Sequence, residues 1–167
     1  NYIKDLIKDF NSQICSSKIK LIIININNSH KNPKKIENII NKNLKNIRYI
    51  NLENDPGVYE CWNIGIKMSE GEFITNSNLD DRHFPEYSEE IIKYFEETPN
   101  CDIAFTPCYV TKKYFYPINN NIKNCELWFN NHYIDYILSK NDMWLNKNIT
   151  QNFPHSCPMW RKSIHNI

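Results

Sequence analysis

In the stretch Asn78-Leu79-Asp80-Asp81-Arg82-His83 a short apolar run ends in two adjacent carboxylates, a guanidinium and an imidazole. Two acids side by side repel, so their pairing needs a reason. One reason is local, because Asp closes turns by accepting hydrogen bonds from nearby backbone. The other is chemical. Hard oxygen ligands suit Mg or Mn, which take one or two protein carboxylates and complete their shells with phosphate oxygens and water. Arg82 could donate to a phosphate in bidentate fashion or hold Asp81 in a surface ion pair. His83 could complete a metal shell or serve as a hydrogen-bonded loop residue.

The elements around this stretch decide between these readings. Ile3, Leu6, Ile7, Phe10 and Ile14 recur at helical spacing, with Lys and Asp on the other face, which predicts an amphipathic helix over Tyr2 to Ile14. The β-branched run from Ile19 to Ile26 predicts a buried strand, broken by Asn27 to His30, and Pro33 suits the first turn of a helix reaching Leu44. A second strand is expected over Ile47 to Leu52 and a turn over Asn54 to Gly57. Val58, Cys61, Trp62, Gly65 and Ile66 form the stripe of a helix packed on a sheet, with Trp62 in the core and Gly71 closing the helix. Glu72 to Asn76 reads as the strand that leads into the aspartates. Pro85 and Glu86 open a further helix whose face is Tyr87, Ile91, Tyr94 and Phe95, and Cys101 to Thr111 reads as another strand. Asn119 to Asn121 reads as a loop, and Glu126 to Trp144 is aromatic-rich without a period.

Strands alternating with helices predict an α/β fold, a Rossmann-like sandwich with a mainly parallel central sheet and helices on both faces. In such sheets ligands sit beyond the carboxyl ends of the strands, and Asp80 and Asp81 stand there. The metal or phosphate reading therefore outweighs the solvated turn.

Length and composition narrow the class. A chain of 167 residues suits one domain with its own core. With 20 basic and 19 acidic residues the formal charge is +1, which disfavours nucleic acid and anionic membrane surfaces as partners. No apolar run approaches the roughly 18 residues of a membrane span, so a soluble, cytoplasmic protein without a transmembrane segment is expected. The six cysteines, Cys15, Cys61, Cys101, Cys108, Cys125 and Cys157, show no zinc-ligand spacing and read as small buried hydrophobes. The abundance of Asn, Ile and Lys fits an AT-rich coding bias, which makes the glycosylation patterns at Asn27 and Asn148 expected by chance.

Taken in order, Ile23 to Ser29, Asn54-Asp55-Pro56-Gly57, Cys61-Trp62-Asn63-Ile64-Gly65-Ile66, Glu70-Gly71-Glu72-Phe73-Ile74 and Asn78-Leu79-Asp80-Asp81-Arg82 resemble the nucleotide-sugar domain of family 2 glycosyltransferases of the GT-A type. Pro158 to Ser163 is similar to that family's acceptor-side segment. The resemblance implies a glycosyltransferase that moves a sugar from a nucleotide-diphosphate donor, with a UDP-sugar as the expected donor, to an acceptor hydroxyl with the help of Mn or Mg. Asn78 takes the first position of the family's D-x-D motif and Asp80 the second, so both are assigned to the metal. Asp81 then supports the metal or touches the sugar, and Arg82 faces the diphosphate. Asn25, Asn27, Asp55 and Asn63 are assigned to the donor, and Trp160 and Arg161 to the acceptor, with the indole as a stacking surface. Tyr109, Tyr114, Phe115 and Tyr116 line a groove or collect at a strand edge.

Two positions depart from the family's pattern, with Asn at 78 and Ile26-Asn27 where an Asp pair is usual. An inverting transfer needs a carboxylate base near the acceptor hydroxyl. Asp142 is the candidate, with Asp135 beside it in the same region. Residues 1–167 are read as one domain, with a donor half over 1–100 and an acceptor half over 101–167. The start at Asn1 and the abrupt end suggest a piece of a longer protein. The alternative reading is a non-catalytic binding or scaffold module that keeps a degenerate form of this fold.

Overall fold

The computed structural model describes residues 2–26, 37–40, 46–106, 108–110, 126–128 and 157–165. Helix α1 (Tyr2–Ser12) is amphipathic as expected and turns inward Ile7 and Phe10. One correction applies to its polar face: Asp9, expected in solvent with the lysines, is only 6% exposed. Strands β1 (Leu21–Ile26) and β2 (Ile47–Leu52) pair in parallel, from Leu21 opposite Ile47 to Ile26 opposite Leu52. Residues 37–40 are helical and bury Ile40 against Ile7, Phe10 and Ile47, a first core under this sheet. The remainder of the expected helix between Pro33 and Leu44 lies outside the described residues.

Helix α2 (Val58–Met68) follows the turn at Gly57, whose φ of 87° lies in the left-handed region that glycine tolerates. It ends before the expected Gly71. The Ser69 N–H bonds the carbonyls of Gly65 and Ile66, and the Ser69 hydroxyl donates to Ile66 O at 2.7 Å, so a serine supplies the stop. Cys61, Gly65 and Ile66 are half-buried, with Gly65 facing Ile24 of β1. Val58 and Trp62 depart from the expected stripe, being 54% and 40% exposed. The reason is a cleft. A cavity of about 1000 Å³ lies between β1 and strand β3 (Phe73–Thr75), and Trp62 stands on its wall where a core would otherwise be.

Helix α3 (Tyr87–Glu97) packs Ile91 and Phe95 onto the second core. Strand β4 (Ile103–Ala104) does not pair directly with β3. Between them lies β7 (Met159–Arg161), antiparallel to both, with Trp160 opposite Ile74 on one side and Ile103 on the other. Strands β5 (Cys108–Val110) and β6 (Glu126–Trp128) form a separate antiparallel pair. The described residues thus form a mixed α/β structure with three small sheets, of which β1 and β2 make the parallel one. Within the described residues β7 inserts an antiparallel strand from 84 positions further along the chain than Thr75. The expected strand over Cys101 to Thr111 divides into β4 and β5 of different sheets. Such a long-range pairing leaves no periodic trace in either segment. A 3-10 turn over Lys162–His165 follows β7.

Candidate functional site

The carboxyl end of β3 runs through Asn76 and Ser77 into a tight turn in which the Asp81 N–H bonds Asn78 O at 3.2 Å. The Asn78 amide then donates from Nδ2 to Asp81 Oδ2 at 2.8 Å. This bond answers part of the like-charge problem, because Asp81 has a neutral donor beside it. Asp80 is exposed at the tip, and no hydrogen bond or ion pair engages its carboxylate among the described residues. Asp81 is half-buried.

Arg82 turns the other way. Its Nε donates to Asp9 Oδ2 at 2.6 Å, its second guanidinium nitrogen pairs with Asp9 Oδ1, and the two side chains are 11% and 9% exposed. Neither the surface pair with Asp81 nor an outward-facing donor is what the structure shows for this residue. Its partner is a buried acid of α1, which charge counting along the loop could not reveal.

His83 occupies an inner position. Its Nε2 lies 3.1 Å from Ser77 Oγ and 3.4 Å from Cys157 Sγ, and its ring stands edge-on to Tyr87 at 4.5 Å. Burial pushes the imidazole below its ordinary pKa, with Arg82 acting in the same direction and Asp9 and Asp81 opposing. The Cys157 thiol also lies 3.8 Å from Asp81 Oδ2, and the backbone there takes a φ of 50°, unusual for a residue with a side chain. The Tyr87 hydroxyl donates to Cys157 O at 2.5 Å and lies 3.0 Å from Thr75 Oγ1, and burial pushes this phenol well above its usual value. Cys157, expected to be a small buried hydrophobe, instead joins β7 to the aspartate loop.

The lowered pKa of His83 carries a pH consequence. The unfolded imidazole titrates near pH 6.5, and the folded one at a lower pH, so the unfolded state binds the extra proton first. The contribution is complete above about pH 6.5 and is lost as pH falls from there toward the folded value. The unfolding midpoint is expected to drop between pH 7.5 and 5.5, and His83→Gln should flatten that slope. Thermal melts of both proteins across the range check it, and equal slopes would remove His83 from the account.

The remaining candidates spread around the cleft. Asn25, one residue before the end of β1, stands opposite Asn51 and donates from Nδ2 to Asn51 Oδ1 at 2.8 Å. Asp55 accepts the Gly57 N–H at 2.8 Å, closing the turn before α2. Asn25, Asp55, Gly57, Trp62, His83 and Trp160 all border the cavity. Asn63 is exposed on α2 and donates to Glu60 at 3.1 Å, within its own helix. Trp160 belongs to β7 instead of a loop, and its indole N–H donates to His165 Nε2 at 2.8 Å. Arg161 is spent inside: Nε donates to Cys101 O at 3.0 Å, one terminal nitrogen to Phe95 O at 2.8 Å and the other to Glu72 at 3.0 Å. Asn27, Asp135, Asp142, Tyr114, Phe115 and Tyr116 lie outside the described residues, as does the side chain of Tyr109.

Asp9, Gln13 and Cys157 have parts in this arrangement that motif reading did not assign. None of the three left a signal in the sequence: Asp9 falls with the charged residues of α1 by helical spacing, and its burial comes with the Arg82 pairing. Among the described residues no three His, Cys, Asp or Glu side chains are grouped so as to hold a metal ion. No helix of the described residues is long and apolar enough to cross a membrane.

Compared with known proteins, residues 1–167 match the family model described as Glycosyl transferase family 2. No curated protein and no solved structure matches the chain. A carboxylate turn at the end of β3, a cleft beside it and a family match over the whole chain agree with one another, and the chain belongs to glycosyltransferase family 2.

Proposed function

We infer that this chain binds the diphosphate of a nucleotide-sugar donor at the Asp80 turn and serves transfer of the sugar to an acceptor hydroxyl. The observation that carries this reading is the exposed, unengaged carboxylate of Asp80, presented by a braced turn at the carboxyl end of a strand. Family membership supports the reaction class.

The donor set fits a divalent cation of the Mg or Mn type. Asp80 contributes a charged oxygen, and Asn78, whose nitrogen is bonded to Asp81, has its amide oxygen left for ligation. Two such ligands are too few alone but suffice when phosphate oxygens and water complete the shell. When bound, the ion would supply charge neutralisation to the departing diphosphate. The protein's own contributions are positional. Asp81 is held beside Asn78, while Asn25 and Asp55 offer polar groups to the nucleoside along the cleft and Asn27 is assigned to the same donor. Asn63 is assigned a weaker part, through its exposed amide on α2. Trp160 lies on the cleft wall as a stacking face for the acceptor, with Asp142 as the proposed proton acceptor. Arg82 and Arg161 are proposed to hold the loop and β7 rather than the substrate.

A thermal-shift panel of UDP, GDP, CDP and dTDP, each with Mn, Mg or EDTA, tests the reading on the protein and on Asp80→Ala. A ligand at about 100 times its dissociation constant adds roughly 2.7 kcal/mol to stability. The expected result is a shift with one nucleotide that needs metal and vanishes in the variant. A shift that survives Asp80→Ala unchanged would place the donor elsewhere, and no shift at all would favour the non-catalytic module.

A further inference from the structure

The Asp80 turn does not stand by itself; helix α1, from the other end of the sequence, grips the segment that follows it. Asp9, 6% exposed, accepts two bonds from the Arg82 guanidinium and a third from the His83 N–H at 3.3 Å. One turn further on, Gln13 is 5% exposed and reaches the same segment with both ends of its amide. Its Nε2 donates to Phe84 O at 2.7 Å, and its Oε1 accepts the Ser88 N–H at 3.1 Å. The Ile14 N–H adds a bond to Pro85 O at 3.0 Å. Ser88 lies in the first turn of α3, where the N-cap residue Glu86 makes no side-chain cap, so Gln13 supplies the acceptor that the helix end lacks.

The other face of α1 is seated elsewhere. Ile7 and Phe10 belong to the core of the β1 and β2 sheet, with Ile40 and Ile47. The helix therefore packs in the core beneath β1, the strand that carries Asn25, and bonds the segment that follows the Asp80 turn. Buried polar groups of this kind fix geometry more than they add stability, because each lost partner leaves a desolvated group behind.

We propose that Asp9 and Gln13 are positioning residues of the donor site, and that α1 sets the placement of the Asp80-Asp81 turn relative to the β1 sheet. This rests on the donor reading above for its functional half alone. The mechanical half, that α1 holds the turn, stands on the hydrogen bonds. Their bonds run to Arg82, His83, Phe84 and Ser88, and through these they act on the turn.

The test uses Asp9→Asn, which keeps the side-chain shape and removes the charge, and Gln13→Ala, which leaves the ion pair intact should the first variant fold poorly. Lys4→Ala, at an exposed position of α1, serves as control. Two readouts are taken in the full chain at a temperature where all variants remain folded. Amide hydrogen exchange should rise at least tenfold at Asp81 and His83 in Asp9→Asn, and at Ser88 in Gln13→Ala, with the amides of α2 unchanged. The affinity ratio between Mn and EDTA for the nucleoside diphosphate found in the UDP, GDP, CDP and dTDP panel should fall about tenfold in Asp9→Asn, and stay at the wild-type value in Lys4→Ala. Wild-type exchange at these amides in both variants would overturn the mechanical claim. Raised exchange with an unaltered Mn/EDTA ratio would show a structural brace that does not set the site, and would overturn the functional claim. If wild type binds none of the four nucleotides, the donor reading fails and takes the functional half with it, while the exchange data still decide whether α1 holds the turn.

Discussion

Phe95→Ala is expected to cost about 3–5 kcal/mol, the range for deleting a large aromatic side chain from a core that cannot collapse onto the space. Phe95 is 0% exposed and stacks on Phe73 with centroids 4.8 Å apart and ring planes 10° from parallel. Around it lie Ile91, Cys101, Ala104 and Met159, and the Arg161 guanidinium sits 5.2 Å from its ring centre. The residue thus joins α3 to the β3-β7-β4 sheet, the floor on which the Asp80 turn begins. For a domain of this size each kcal/mol moves the midpoint by roughly 2–4 °C, so a fall of about 6–20 °C is expected by calorimetry. Tyr59→Ala, at a 74% exposed position, should move it by no more than about 0.5 kcal/mol. A Phe95 variant that melts with wild type would mean that α3 does not carry this core.

Arg161→Lys tests the second assembly, and the expected loss is about 1–3 kcal/mol, the cost of leaving desolvated backbone acceptors without their donors. Arginine's planar fork reaches the carbonyls of Cys101 and Phe95 at once while lying 5.1 Å from the Phe73 ring, a geometry that a lysine ammonium cannot reproduce. Removing it leaves two acceptors unpaired in a half-buried setting. Its third partner matters less, because the Glu72 side chain is 71% exposed and such pairs contribute at most about 1 kcal/mol. Glu72→Gln should therefore melt close to wild type. The pair of variants separates two roles for Arg161. A large loss of stability marks it as the pin that holds β7 between β3 and β4. A wild-type melt with weakened acceptor binding would return it to the substrate.

These two residues also show where one-dimensional reading works. Phe95 was visible as core because Tyr87, Ile91, Tyr94 and Phe95 repeat at the spacing of one helix face. Three of them face inward to some degree, with Tyr94 39% exposed at the margin. Arg161 was read toward the acceptor from its neighbours in the chain, and nothing in Pro158 to Ser163 says which strands will flank it. Strand β2 matched its expected span at both ends, since Ile47, Tyr49, Ile50 and Leu52 form a short apolar-rich segment bounded by polar residues. Strand β7, three residues long, has no pattern of its own.

The amino-acid sequence by itself determined the local elements, the turn chemistry at Asp55-Pro56-Gly57 and the placement of Asp80 and Asp81 at a strand's carboxyl end. Those properties depend on residues within a few positions of each other, through side-chain period, backbone φ preference and hydrogen bonds to near neighbours. The family was legible for the same reason, as an ordered series of short segments. Tertiary structure alone decided which partners the polar groups took. It placed Arg82 on Asp9 at a separation of 73 residues, set Cys157 against His83, and put β7 between β3 and β4. A charged or polar side chain must be paired wherever burial removes water, but its type does not name the partner. That choice is made by the packing of Ile7, Phe10, Ile91 and Phe95, which brings distant segments together and so sets which neighbours a buried charge meets.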